Sequence, residues 1–148
     1  MSDLYETDVV TWSDRQADLL RRIAAGERVN DQVDWENVIE EIADVRKRYE
    51  DEIENRLTTL CAHLLKWQFQ PAMRSNSWRS AIVRSRTRIS RLARKMPTLA
   101  PYPAAALAEA YPDGRLAAEA ETGLTGLPAA CPWTIEQVID PTFWPDPP

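Results

Sequence analysis

The chain has 148 residues, 44% apolar and 28% charged, with a formal net charge of −5 and an isoelectric point near 5.0, the balance of an ordinary globular protein of one domain. No apolar run approaches the roughly 20 residues of a membrane-crossing helix, and the acidic opening MSDLYETDVV lacks a secretory leader, so a cytoplasmic protein without a membrane partner is expected. Cys61 and Cys131 show no CxxC spacing, which suits free thiols in a reducing compartment and excludes the usual zinc and disulfide patterns.

Apolar residues recur at intervals of three and four and strand alternation is absent, which predicts an all-α, single-domain helical bundle. The first helix should run from Thr7 or Asp8 to Ala25, with a stripe of Trp12, Leu19, Leu20 and Ile23 and a terminator at Gly26. A second, long amphipathic helix should begin with Asp34 as its cap and end at Gln70, before Pro71. Its apolar series is Trp35, Val38, Ile42, Val45, Tyr49, Ile53, Leu57, Leu60, Leu64 and Trp67. Unbroken, it would form a rod of about 55 Å, longer than the roughly 40 Å diameter of a compact domain this size. The spacing therefore predicts either a break between Arg46 and Tyr49 or an overhang that pairs with another chain.

The third helix is expected from an N-cap at Ser77 to about Lys95, with Trp78, Ile82, Ser85, Ile89, Leu92 and Met96 on one stripe. It should lie antiparallel to the long helix. A fourth helical region within residues 98–121 is expected to kink or split at Pro112 and Gly114. Thr134 and Gln137 make a capping box for the short helix TIEQVID. The proline-rich tail from about Pro141 should lie along the surface or fray. The expected core comprises Trp12, Leu20, Ile42, Val45, Ile53, Leu57, Leu60, Leu64, Trp67, Trp78, Ile82, Ile89 and Leu92.

Charge is segregated in blocks. Residues 1–56 carry −8, residues 57–96 carry +9 without one Asp or Glu, and residues 97–148 carry −6. Such separation implies strong electrostatic contact, within the chain or with an anionic partner.

The segments LYETDVVTWSDRQADLLRR, DWENVIEEIADVRKRYEDEIENRL, HLLKWQFQP, RSNSWR and CPWTIEQVID together resemble one bacterial family, the domain of unknown function numbered 29. The resemblance covers residues 4–140 and implies an all-helical fold; it brings no established activity or catalytic residues. Arg46 stands where the family pattern suggests a glycine, and Pro112 where it suggests continuation of a long helix.

Three constellations are candidates for function. His63, Lys66, Gln70, Arg74, Trp78 and Arg79 gather at the turn around Pro71 and would suit a small anion or a partner. Their structural alternative is a hydrogen-bonded turn with cationic stems packed over the indoles. Arg84, Arg86, Arg88, Arg91, Arg94 and Lys95 form a basic face that could contact nucleic acid. An acidic isoelectric point weighs against that reading. So does the antiparallel pairing, which should bring Arg91, Arg94 and Lys95 alongside Glu50, Asp51, Glu52 and Glu54 and neutralise them. Glu40 and Glu41 lie 23 and 22 residues before His63 and read as a solvated or salt-bridged face rather than metal ligands. Catalytic motifs, cofactor loops and metal spacings are absent from the sequence. The leading expectation is a non-catalytic interaction protein, as a homo-oligomer or with another chain. Nucleic-acid or anion binding ranks second, and an enzyme centred on His63 third.

Overall fold

The structure, a computed structural model, describes residues 3–148. It contains helices α1 (Asp3–Thr7), α2 (Val9–Ala24), α3 (Trp35–Phe69), α4 (Asn76–Lys95), α5 (Tyr102–Thr122) and α6 (Ile135–Ile139), and no strand among the described residues. The fold is all-α, with two compact units, one ending at Arg48 and one spanning Tyr49–Pro148.

In the first unit, Asp8 caps α2 by accepting the Thr11 amide at 3.0 Å. Helix α1 precedes that cap, an extra turn that the sequence pattern, which starts its first helix at Thr7 or Asp8, did not anticipate. Trp12, Val33 and Val38 are buried together, packed by Leu4, Tyr5, Leu19, Leu20 and Ile23. The Trp12 indole donates to Asp34 at 2.9 Å, which satisfies a buried N–H that would otherwise be costly. Asp34 also accepts from the Asn37 side chain at 2.8 Å. Ile42 and Val45, expected in the core, are instead 67% and 46% exposed.

Helix α3 is continuous through Arg46 to Tyr49 over its 35 residues, so of the two alternatives the break does not occur. No proline or glycine interrupts that stretch, and good helix formers fill it. In the second unit Ile53, Leu57, Leu60, Leu64 and Leu65 are fully buried, together with Ile82, Ile89 and Leu92 of α4 and Ala110 and Tyr111 of α5. Trp78 is only half-buried at the margin of that core. Ser75, not Ser77, caps α4, accepting the Trp78 amide at 3.2 Å.

Helix α5 is unbroken despite Pro112 and Gly114. Pro112 lies on the exposed side, and Ala108, whose carbonyl loses its donor, is also exposed, so that carbonyl stays open to solvent. Gly114 is buried because α5 crosses α3 there at very short range. A Cβ at that position would lie 2.7 Å from the Thr58 carbonyl oxygen and 2.9 Å from the Cys61 Cβ. The capping box of α6 is present, with Thr134 and Gln137 exchanging bonds.

The tail does not fray. Trp144 packs on Trp67 at 4.8 Å between ring centroids, and Pro145 is buried. Two indoles outweigh the proline content that suggested a loose end.

Candidate functional site

The cluster near Pro71 resolves into two groups. In the first, Lys66 is 4% exposed, forms a salt bridge with Glu121 and holds its ammonium 5.2 Å from the Trp78 ring centroid. His63 sits one turn earlier on α3, its Nδ1 2.8 Å from the Thr59 carbonyl, so that nitrogen donates and Nε2 carries the lone pair. Burial holds the imidazole below its ordinary pKa, only partly opposed by the Thr59 bond, and so favours the neutral ring.

In the second group the guanidinium groups of Arg74 and Arg79 lie over the Trp67 ring, at 4.6 and 5.5 Å, and Arg79 also lies 4.9 Å from Trp144. Arg74 Nε donates to the Trp67 carbonyl at 2.9 Å. Gln70 closes α3 through its amide, bonded to the Lys66 carbonyl at 2.9 Å. A shallow cavity of about 360 Å³ remains, lined by Trp67, Arg74, Ser75, Asn76 and Arg79. Sequence reasoning missed Glu121 and Trp144, which lie 55 and 77 residues away from their partners Lys66 and Trp67.

The basic helix divides by environment. Arg86, expected on the basic face, is instead buried at 3% exposure, donating Nε to the Val138 carbonyl at 2.8 Å and Nη2 to the Gln137 carbonyl at 3.4 Å. Its place on the buried face was legible, because it falls four after Ile82 and three before Ile89. Arg88 meets Glu52, and that bond holds the carboxyl below its usual range. Among the described residues Arg84 reaches only the Ser80 hydroxyl, at 3.2 Å. Arg91, Arg94 and Lys95 are exposed and have no carboxylate in ion-pair range among the described residues. Glu54 is turned to the Tyr102 hydroxyl instead, at 3.4 Å. The expected neutralisation of Arg91 to Lys95 by the acidic stretch of α3 is therefore corrected: the described pairing is Arg88 with Glu52.

Glu41 accepts from Tyr5 at 2.7 Å and pairs with Arg48. Burial raises the pKa of both thiols, Cys61 strongly, which leaves them protonated and poorly nucleophilic. Among the described residues there is no cluster of His, Cys, Asp and Glu able to hold a metal ion, and no helix is long and apolar enough to cross a membrane.

The first unit carries a different feature. Trp35, Ile39, Ile42 and Val45 recur at intervals of four, three and three on α3, and their exposures are 43%, 62%, 67% and 46%. Contiguous exposed apolar side chains of this size mark an interaction surface more often than chance exposure.

An all-helical protein with one open apolar stripe and one open basic face is the class these observations define. The chain belongs to the family described as Domain of unknown function DUF29, whose model matches residues 4–144. No curated protein and no solved structure matches it.

Proposed function

We propose that this protein is a non-catalytic cytoplasmic interaction module that pairs with a second copy of itself through the stripe Trp35, Ile39, Ile42 and Val45. The observation that carries this reading is the exposure of four large apolar side chains on one helix face. The same three-and-four spacing continues to Ile53, Leu57, Leu60 and Leu64, which are fully buried in the second unit. A sequence pattern made for burial is thus left open over residues 35–45.

Charge favours a second copy as the occupant. Glu36, Glu40 and Asp44 accompany the first part of the stripe, and Arg46, Lys47 and Arg48 follow it. An antiparallel pairing about a two-fold axis near Ile42 sets Ile39 against Val45 of the second copy and brings the acidic first turns of one α3 level with the basic residues 46–48 of the other. Such a face is self-complementary, as an isologous interface requires.

Light scattering across a concentration series tests it. The wild-type chain should approach twice 16.9 kDa, and the double variant Ile39→Glu, Ile42→Glu should remain at 16.9 kDa with unchanged helical circular dichroism. A wild-type mass of 16.9 kDa at every concentration removes the reading.

A further inference from the structure

On α4, Arg84, Arg88, Arg91 and Lys95 follow at steps of four, three and four. That spacing puts them on one narrow helix face over about 16 Å. Arg56 of α3 joins Arg84, Arg88 and Arg91 around a groove of about 320 Å³ whose floor includes Val83 and Thr87. Arg84 and Arg91 are exposed, and Arg56 and Arg88 are half-buried. Against these four guanidinium groups stands Glu52, bonded to Arg88 and close enough to Arg56 to feel its charge. Four positive charges and one negative leave the groove at +3.

We propose that this groove binds a chain of phosphates, an oligophosphate or a phosphodiester backbone, through Arg56, Arg84 and Arg91. Planar guanidinium groups match phosphate oxygens in pairs and stay charged at all physiological pH values. Three uncompensated cations around one groove call for a multiply charged ligand, since a single carboxylate would leave most of that charge unanswered. Thr87 adds a hydroxyl that can donate to a phosphate oxygen. No aromatic side chain lines the groove, so the contact reads phosphate and not base. The overall charge of −5 gives no long-range attraction, and the affinity rests on this local patch alone. Pairing through the first half of α3 is a separate matter, and neither result decides the other.

Fluorescence anisotropy with a labelled 20-nucleotide single strand, and competition by inorganic tripolyphosphate, test the assignment on the full chain. Three phosphate contacts predict binding about 20-fold weaker in 200 mM than in 50 mM salt. The double variant Arg84→Gln, Arg91→Gln, which breaks no ion pair, should weaken binding at least tenfold. The control Arg15→Gln, Arg21→Gln, of equal charge change on exposed positions of α2, should leave it unchanged. Displacement by tripolyphosphate assigns the groove to compact oligophosphates, and binding of the strand without displacement assigns it to a phosphodiester chain. No binding at 50 mM salt, equal losses in both double variants, or tighter binding of a glutamate-rich peptide each overturns the proposal.

Discussion

Arg88 grips Glu52 through two N–H···O bonds, at 2.5 and 2.9 Å, and this is the described ion pair between the basic helix and the acidic half of α3. Both side chains keep about a third of their exposure, so water screens the pair. Glu52→Gln should lower stability by about 1 kcal/mol, with a double-mutant cycle against Arg88→Gln recovering most of it as coupling. The Glu52 pKa is depressed on folding, chiefly by the Arg88 bond. Its contribution is therefore present above the unfolded carboxylate pKa and lost as pH falls through the folded one. Urea unfolding at pH 7 and at pH 3 should show the Glu52→Gln deficit at the first pH and not at the second.

Gly114 lets α5 approach α3 at 2.7 Å from a would-be Cβ to the Thr58 carbonyl. Backbone cannot swing aside as a flexible side chain can. Gly114→Ala should cost about 1–3 kcal/mol through overpacking, measured by urea unfolding. Pro112→Ala, on the exposed side of the same helix, should be neutral or stabilising. Equal effects of the two substitutions would contradict the close crossing.

His63 titrates below its ordinary 6.5 because burial disfavours the charged ring. The unfolded chain then binds the extra proton first as pH falls. Stability from this residue is present above about 6.5 and declines as pH drops from there toward the lower folded pKa. Proton NMR should place the imidazole midpoint below 6.5, and His63→Gln should flatten the stability profile between pH 7 and 5.5. A midpoint above 6.5 would mean that Glu121, which pulls the other way, governs the site.

Trp144 joins the tail to the body through Trp67, Arg79 and Arg86. Trp144→Ala should lower stability by about 2 kcal/mol, below the 3–5 kcal/mol of a fully buried aromatic, and the melting temperature should fall accordingly. A tail lying loosely on the surface would give no change.

Periodicity carried much of the fold. The series from Ile53 to Trp67 and from Ile82 to Leu92 specifies two helices because only a helix aligns those intervals, and the six residues between α3 and α4 turn the second back along the first. Ile42 and Val45 obey the same interval, and no local signal separates a covered residue from an uncovered one. Pro112 predicted a break that the crossing at Gly114 and solvated neighbours override. Arg86 and Arg84 stand two apart with the same chemistry, yet one is buried on carbonyls and the other open. Helical phase distinguishes them, whereas the partners, at Gln137 and Val138, are 51 and 52 positions away. Arg56 belongs to the same acid-free stretch, which begins at Asn55, but it lies on α3, and only the fold brings it beside Arg84, Arg88 and Arg91 of α4.

Self-association through the open stripe of α3 is tested most directly by cross-linking at Ile42, next to the proposed two-fold axis. In a Cys131→Ser background, Ile42→Cys should oxidise to a disulfide-linked species of twice 16.9 kDa, and Ala24→Cys, exposed at the end of α2, should not. Cross-linking no faster at position 42 than at position 24 would contradict the account.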